Sequence, residues 1–436
     1  MAMYVCGPTV YDDPHIGHGR FALVFDVLRR YLEWCGNDVV YVSNITDIDD
    51  KIIARARHEE VPAADVARRY EQSWYHSIDR LGVKRPTHEP HATDYVGLMV
   101  DLIAGLVAAG RAYETGDGVY LATDTVEGYG LLARQPLDSL RRGGGERDVF
   151  GEEKRSPLDF ALWKKAKPGE PRWPSPWGDG RPGWHTECVV MALDLLGDGF
   201  DLHGGGQDLA FPHHENERAQ AVAAGREFAR HWAHNGFVET GGEKMSKSLG
   251  NVTSLTELVE TTDPRAYRLL VLRSHYRSPL EVTAVTLAEA EAGLGRLDAI
   301  VRRTEELPPA PADAAAVARF RQRMDDDLDT PGVVADVFDL VRQANTALDE
   351  ADVRQAAALV AAVRELTSAL GLELGGGDHE LDRDAAELVV RRDEARAGRD
   401  YTAADAIRAE LEARGWVVED TPSGTRVHRR TASSGG

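Results

Sequence analysis

Hydrophobic and polar positions near the start of the chain follow two different periods. Residues Tyr4–Val10 form an apolar run typical of a strand, whereas Gly19–Trp34 carry apolar side chains at helical spacing until Gly36 ends the pattern. The apolar run Val39–Ile45 predicts a second strand. Because two strands joined by a helix usually lie parallel in one sheet, the chain is predicted to begin with an α/β domain built on a parallel sheet.

The pattern changes further along the chain. Short strands and turns rich in Gly, Pro and Trp extend from about residue 110 to 182 and predict an insertion into the first domain, after which Phe200–His203 resume the sheet pattern. Helical spacing dominates after residue 280, where Thr286 and Glu289 predict a capping box at the start of a helix. A small domain with two helices and two short strands closes the chain.

Prolines and glycines between these regions predict the domain boundaries. The predicted division is an α/β domain over 1–243 with its insertion at about 110–182, a loop region over 244–280, a helical bundle over 281–372, a small α+β domain over 380–430 and a disordered tail over 431–436. A chain of 436 residues exceeds what one hydrophobic core usually organises, which agrees with several domains.

Composition excludes several classes of protein. No apolar run approaches the roughly 20 residues of a membrane span, and the N-terminus lacks the pattern of a secretory signal, so we expect a cytoplasmic protein without membrane contact. The three cysteines do not suggest a disulfide framework, which leaves metal ligation or buried free thiols open. A formal net charge of -21 argues against indiscriminate binding to nucleic acid, so any RNA contact must be local.

The first motif with chemical meaning is the stretch Pro14-His15-Ile16-Gly17-His18, between the first predicted strand and helix. A helix N-terminus at that point offers free backbone N–H groups and a positive dipole end to phosphates, and the two imidazoles add further donors. Gly17 allows a flat base to approach the backbone. The motif therefore predicts an ATP site, and the alternative is a turn with incidental surface histidines.

The second motif is the stretch Lys244-Met245-Ser246-Lys247-Ser248, which glycines flank on both sides. Two lysines on a short polar loop neutralise the pyrophosphate that leaves when a nucleophile attacks the α-phosphate of ATP. The flanking glycines permit the loop to move. In isolation this stretch would be read as a surface lysine loop, but together with the histidine motif it predicts ATP binding and phosphate chemistry.

A third group of residues has the chemistry of a metal site. Cys6 lies on the first predicted strand near its C-terminal end, Cys188 follows a Gly-Trp-His-Thr-Glu stretch, and His213 and Glu217 are four residues apart on a predicted helix. Two thiolates, one imidazole and one carboxylate suit zinc, while His214 is rotated about 100° from His213 and makes a poorer partner for Glu217. The alternatives are buried core thiols for the cysteines and an ion pair or helix cap for His213 and Glu217.

The first two motifs together are typical of class I aminoacyl-tRNA synthetases, and the chain resembles one family of that class, the cysteinyl-tRNA synthetases, over nearly its whole length. The stretches that carry the resemblance are Tyr4–Asp12, Asn44–Lys51, Gly183–Cys188, His203–Asp208, His213–Glu217 and Met324–Asp327. Members of the family usually carry a longer segment before the first strand, whereas here Cys6 lies almost at the start.

The resemblance implies a Rossmann-like catalytic domain that activates L-cysteine with ATP and magnesium and transfers it to tRNA-Cys. It also implies roles for individual residues: one zinc ion per chain on Cys6, Cys188, His213 and Glu217; a cysteine pocket lined by Thr46, Trp184, His203 and Asp208; catalysis by His15, His18, Lys244 and Lys247; and anticodon contacts from Arg396, Asp405 and Asp420. Residues 244–280 would contact the tRNA stem, and residues 380–430 would form the anticodon-binding domain. We expect a monomer.

Two other functions are compatible with these motifs. The related ligase that joins cysteine to a glucosamine-inositol acceptor in mycothiol synthesis would share the zinc site and the adenylation chemistry, but it needs no anticodon reader. A catalytically inactive paralogue that binds RNA would not need His15, His18, Lys244 and Lys247, which are all present here. Both alternatives are less consistent with the sequence than a tRNA synthetase.

Overall fold

The computed structural model describes most of the chain. The described residues are 1–133, 153–240, 243–244, 253–375, 383–414, 416–421 and 424–429. They divide into two compact units, one formed by residues 1–259 with 276–280 and the other by residues 260–275 with 281–436. The finer domain boundaries drawn from the sequence stay predictions.

A four-stranded parallel sheet lies at the centre of the first unit, as the opening pattern of the sequence predicts. Its strands are β1 (Ala2–Val5), β2 (Val40–Ser43), β7 (Leu202–Gly206) and β8 (His231–Asn235), in the order β2-β1-β7-β8. Met3 and Val5 pack on Phe25 at one face, while Tyr4 and Val42 belong to a second core at the other face. The fold class is therefore confirmed as α/β with a parallel sheet.

The first strand ends at Val5 and not at Val10, so it is shorter than predicted. A Cβ atom at Gly7 would lie 1.6 Å from the carbonyl oxygen of Asn44, so the backbone passes too close to its neighbour for any side chain at this position. Beyond Gly7 only a single bridge, between Thr9 and Thr46, continues the pairing. Residues 6–15 thus form a loop at the carboxyl edge of the sheet, where ligands of open α/β sheets bind.

Seven helices of the first unit are described. They are α1 (Ile16–Trp34), α2 (Asp50–Glu59), α3 (Ala63–Arg80), α4 (Val96–Ala108), α5 (Trp184–Leu196), α6 (Glu215–Ala223) and α7 (Leu255–Thr261), whose last two residues belong to the second unit. The first helix begins three residues earlier than the apolar spacing predicts. Among the described residues, no helix is both long and apolar enough to cross a bilayer.

Residues 112–182 contain a second, antiparallel sheet. Its strands are β3 (Ala112–Glu114), β4 (Gly118–Leu121), β5 (Phe160–Lys165) and β6 (Gly180–Pro182), in that order. Val119 and Leu162 pack with Ile103 of α4 in a core of their own. Three short strands, β9 (Val238–Thr240), β10 (Glu243–Lys244) and β11 (Leu280–Glu281), form a further small sheet.

The second unit is mainly helical. Its helices are α8 (Pro264–Leu272), α9 (Ala284–Arg303), α10 (Ala314–Asp325), α11 (Thr330–Asp349), α12 (Val353–Ala369), α13 (Arg383–Ala397) and α14 (Tyr401–Ala413), and the hairpin β12 (Trp416–Thr421) and β13 (Gly424–Arg429) packs on the last two. The predicted capping box at Thr286 and Glu289 is wrong. Thr283 caps α9, and Thr286 is its partner three residues on, because the helix starts one turn earlier. The predicted tail, residues 431–436, lies outside the described residues.

Buried Arg20 ties α1 to two loops of the first unit. Its side chain is 1% exposed, and its guanidinium donates to the carbonyl oxygens of Phe237 at 2.6 Å, Tyr276 at 3.4 Å and Ser278. Phe237 O and Tyr276 O also accept from the backbone N–H groups of Leu280 and Gly236, so removal of the guanidinium would take one of their donors and the Arg20 donor of Ser278 O, and would leave a space where a buried side chain packs. Arg20 therefore holds residues 276–278 onto the sheet domain.

We predict that Arg20→Ala lowers the free energy of unfolding by about 2–4 kcal/mol. Urea unfolding followed by circular dichroism measures the change. The matched control is Arg68→Ala on α3, whose side chain is 64% exposed and contacts only Asp65 one turn away, so its stability should equal that of the parent. Equal midpoints for the Arg20→Ala variant and the parent would refute this role.

Candidate active site and metal centre

The histidine motif lies where the sequence predicts, at the N-terminus of α1. His15 is the N-cap residue, its backbone N–H donates to Nδ1 of His18 at 3.2 Å, and the two imidazole rings stack with centroids 3.8 Å apart. The first turn of a helix carries N–H groups without intrahelical partners. Backbone donors and two imidazoles thus lie side by side at the carboxyl edge of the parallel sheet.

The lysine motif is described only in part. The backbone of Lys244 belongs to β10, and Met245, Ser246, Lys247 and Ser248 lie outside the described residues. The chain directly after the motif, however, pairs with the histidine motif, because Ile16 N–H donates to Thr253 O at 3.1 Å and Leu255 N–H donates to Pro14 O at 2.9 Å. The described chain from Thr253 onwards is therefore paired with the histidine motif.

The four predicted metal ligands converge from separate parts of the sequence. Cys6 follows β1, Cys188 lies in the first turn and a half of α5, His213 lies in the turn before α6, and Glu217 lies in α6. All four side chains are at most 4% exposed, and one donor atom from each lies within 4.8 Å of every other. The parallel sheet brings these elements together at one edge.

The separations between the donor atoms fit tetrahedral zinc. Cys6 Sγ lies 3.6 Å from Cys188 Sγ and 3.4 Å from Glu217 Oε1, and His213 Nε2 lies 3.5 Å from Cys188 Sγ and 3.0 Å from Glu217 Oε1. Zinc bonds of about 2.0–2.3 Å place tetrahedral ligands roughly 3.3–3.8 Å apart. The donor set and its spacing therefore fit a four-ligand zinc ion with little rearrangement.

Neighbouring charges prepare these groups for a cation. Burial raises the pKa of the Cys6 thiol well above its ordinary value, but at Cys188 the hydrogen bond with Cys6 and the contact with His213 overcome burial and lower the pKa to about 6. Burial also disfavours charge on Glu217, yet His203 and His213 hold the pKa of this carboxyl well below its usual range. A thiolate and a carboxylate are thus present at neutral pH, as zinc ligands must be.

The structure agrees with one expectation about the histidine pair before α6 and corrects another. Within residues 210–214 the extended conformation is at Phe211, and beyond it His213 Nε2 lies 3.0 Å from Glu217 Oε1, so these two side chains share one face. His214 is closer to the group than its rotation on a helix suggests, because its Nε2 lies 3.4 Å from Cys6 Sγ. With Cys6, Glu217 and His203 it forms a second set of four donors within 4.8 Å of one another.

Thr46 is held by two buried residues that the sequence analysis missed. Asn44 donates from Nδ2 to Thr46 Oγ1 at 3.1 Å, and Thr46 Oγ1 donates to Glu187 Oε2 at 3.2 Å. Asn44 Oδ1 also accepts from Tyr4 OH at 3.1 Å and from Gly7 N–H at 2.9 Å. The signal available in the sequence was an asparagine directly after an apolar run. If its amide is buried there, it needs several hydrogen-bond partners.

The other predicted pocket residues differ in their surroundings. Trp184 stacks on His213 with ring centroids 4.0 Å apart, and His203 is fully buried with Nε2 2.6 Å from Glu217 Oε2. Asp208 is exposed in the turn after β7. Trp184 and His203 therefore contact members of the four-donor group directly. Asp208 lies in the turn that follows β7, the strand of His203.

A cavity of about 470 Å³ opens beside Trp184. Its lining includes Thr9, Lys154, Lys164 and Phe211. Lys164 contacts Asp50 at 2.9 Å, so part of its charge is already balanced. The lining also carries Asp49, Asp50 and Asp159, so the ammonium groups of the cavity are accompanied by as many carboxylates.

The three predicted anticodon contacts lie in the last part of the second unit. Arg396 is half-buried near the end of α13, and Asp405 is exposed on α14. The backbone of Asp420 belongs to β12. These positions are on neighbouring elements of one small α+β module, and their roles stay predictions.

Comparisons with known proteins agree with this geometry. The family model described as the tRNA synthetases class I (C) catalytic domain matches residues 1–292, and the DALR domain model matches residues 319–375. A solved methionyl-tRNA synthetase of Mycobacterium tuberculosis bound by methionyl-adenylate aligns over 92% of this chain and 96% of its own, with a TM-score of 0.63 and 17% identity. A putative arginyl tRNA synthetase of Campylobacter jejuni aligns over 85% and 93%, with a TM-score of 0.56 and 12% identity. At such low identity these two structures establish the fold.

Much closer sequence relatives exist among curated proteins. A cysteine–tRNA ligase of Halorhodospira halophila is 46% identical over 98% of this chain and 94% of its own length, and one of Alkalilimnicola ehrlichii is 47% identical over 98% and 95%. The Pseudomonas aeruginosa enzyme of the same name is 46% identical over 97% and 94%. The similarity thus extends through both units, and the chain belongs to the cysteine–tRNA ligase family.

Proposed function

We propose that this chain activates L-cysteine with ATP and transfers it to the 3′ end of tRNA-Cys, and that a zinc ion on Cys6, Cys188, His213 and Glu217 recognises the thiol. Membership of the family supports the reaction. The observation that carries the zinc assignment is the convergence of four buried donors within 4.8 Å, next to the nucleotide motif at one edge of the sheet.

In the first step the carboxylate of cysteine attacks the α-phosphate of ATP and pyrophosphate leaves. No side chain needs to act as a nucleophile, so the protein contributes position and charge stabilisation. The N-terminus of α1 with His15 and His18 holds the phosphates, while Lys244 and Lys247 balance the charge that develops on the pyrophosphate. Magnesium accompanies the triphosphate, as it does generally for such substrates.

In the second step the terminal hydroxyl of the tRNA attacks the carbonyl of the adenylate and AMP leaves. The cysteine must stay fixed between the two steps, because both attacks use its carboxyl group. In this proposal Trp184 and His203, which contact the donor group, and Thr46, which is joined to Asn44 and Glu187, orient the amino acid. Asp208, exposed in the turn after β7, is assigned the contact with its ammonium group.

When bound, zinc supplies a soft Lewis acid that accepts the cysteine thiolate as a further ligand. Serine offers a hard hydroxyl of high pKa instead, so the same site rejects it. A site built around one specific polar contact discriminates by roughly 10⁴–10⁵ against an analogue that lacks the contact. The chain therefore needs no separate editing site for serine.

We predict that Cys188→Ser abolishes stoichiometric zinc binding and reduces cysteine charging by at least about 10²-fold, since a ligand is lost. Zinc is measured by elemental analysis after dialysis against a weak chelator. Cys35→Ser is the matched control, because Cys35 lies at the end of α1, outside the donor group, and should leave zinc content and charging unchanged. Full zinc content in the Cys188→Ser variant would contradict the ligand assignment.

We predict that Thr46→Val raises KM for cysteine about tenfold without loss of zinc, because it removes one hydroxyl from the Asn44–Thr46–Glu187 chain and keeps the shape of the side chain. ATP–pyrophosphate exchange at varied cysteine concentration gives KM. Varied ATP at saturating cysteine is the control and should give the KM of the parent. A normal KM for cysteine would exclude Thr46 from the pocket.

The function itself is tested by charging of tRNA-Cys with labelled cysteine, with serine and a glucosamine-inositol acceptor as parallel substrates. We expect charging with cysteine alone and no transfer to the amino sugar. Transfer to the amino sugar without tRNA charging would move the chain to the mycothiol ligase activity. Absence of pyrophosphate exchange would instead support an inactive paralogue.

Three further features belong to the same proposal. The chain acts as a monomer in the cytoplasm, and its last module reads the anticodon through Arg396, Asp405 and Asp420. Guanidinium and carboxylate groups suit the edges of unstacked bases. Light scattering on the purified protein tests the monomer, and charging of anticodon variants of tRNA-Cys tests the reader.

A further inference from the structure

A basic groove runs between α9 and α11 in the second unit, away from the residues assigned to catalysis. Its volume is about 540 Å³. It is lined by Arg296, Ala299, Ile300, Arg303, Phe338, Val341, Arg342 and Asn345. We call it the α9–α11 groove. Three of its lining residues are arginines and none is acidic, in a chain with a net charge of -21.

Two guanidinium groups at one end of the groove lie against the same aromatic ring. Arg296 is 5.1 Å and Arg273 is 5.9 Å from the centroid of Phe338. Among the described residues, no carboxylate forms an ion pair with either of them. Burial and then the positive charge of Arg296 lower the pKa of Arg273, while the carboxylate of Glu289 acts in the opposite direction. An anion at this end would offset the two guanidinium groups that share the Phe338 ring.

The other arginines extend the positive charge along the groove. Arg303 contacts Asp349 at 2.7 Å, and Arg342 contacts Asp339, but neither carboxylate belongs to the lining. Arg296 and Arg303 are seven residues apart on α9, hence on one face and about 10 Å from each other along the axis. A single small anion does not span that distance, whereas a chain of phosphates does.

The floor of the groove is apolar. Ile300 and Val341 are buried beneath the arginines, and Ala299 is exposed between Arg296 and Arg303. An apolar floor with basic walls fits ribose rings flanked by phosphates, because sugars present carbon atoms and the backbone presents negative charge. An amphipathic protein helix would also fit an apolar floor. The lining, however, contains three arginines and no acidic residue, which favours a polyanion.

We propose that the α9–α11 groove binds the sugar-phosphate backbone of the tRNA substrate through Arg296, Arg303 and Arg342. This inference rests on the proposed charging of tRNA and adds a contact surface to it. The charged groups of the groove are all guanidinium groups, which would contact phosphates. Such contacts fix the position of the RNA but do not distinguish one base from another.

The test compares Arg296→Glu and Arg296→Gln with the parent. Binding of tRNA-Cys is measured by filter retention at several salt concentrations, and pyrophosphate exchange with cysteine is measured without tRNA. We expect Arg296→Glu to weaken tRNA binding about tenfold and Arg296→Gln to weaken it less, with the slope of log K against log salt reduced by about one. Exchange should equal that of the parent, because this step does not require the groove.

Arg354→Glu is the matched control. Arg354 is exposed on α12 in the same unit and does not line the groove, so the same charge change there should leave the salt slope unchanged. Thermal melts of all variants establish that they fold. Parent affinity and parent salt slope in a folded Arg296→Glu variant would overturn the proposal.

Two other occupants give different results, and either would also overturn it. A free-anion site would make Arg296→Glu weaken the binding of inorganic phosphate while tRNA affinity and its salt slope stay at the parent values. A protein interface would make Arg296→Glu change self-association in light scattering while tRNA affinity stays the same. Failure of the proposed function is separate, since it appears as absent exchange and absent charging in the parent itself.

Discussion

The fully buried carboxylate of Glu217 is the constraint on which the active site depends. It lies 2.6 Å from His203, 3.0 Å from His213 and 3.4 Å from Cys6 Sγ, so its charge is balanced only when all of these elements are in place. An unpaired carboxylate in such a position would cost several kcal/mol. His213 and Cys6, which contact it, are also members of the donor group, so the same side chains would serve folding and the proposed metal site.

The parallel sheet brings the residues around Glu217 to the same edge as the histidine motif. Cys6 follows β1 and Asn44 follows β2, so both lie at the carboxyl edge, while His203 lies in β7 between them and α6. The helix that starts after the same loop carries His15 and His18 at its N-terminus. In the proposed function, amino acid recognition and nucleotide binding would use adjacent ends of adjacent strands, which would bring the cysteine carboxylate next to the triphosphate.

The sequence predicts the fold class and the four converging donors, because apolar periods mark the strands and thiols with imidazoles mark a metal site. Exact positions depend on packing that no local pattern contains. β1 ends at Val5 because Gly7 passes against Asn44, and α9 begins at Ala284 because the hydroxyl of the capping residue Thr283 accepts from Thr286 N–H. His214 Nε2 lies 3.4 Å from Cys6 Sγ, a contact between distant parts of the sequence that helical spacing does not reveal.

The central claim is that the donor group holds zinc and that zinc binds the substrate thiol. X-ray absorption at the zinc edge, recorded on the purified protein with and without cysteine, tests it most directly. The account predicts two sulfur and two lighter ligands without cysteine, and three sulfur ligands when cysteine is bound. An unchanged sulfur count on addition of cysteine, or a protein that binds no zinc, would contradict it.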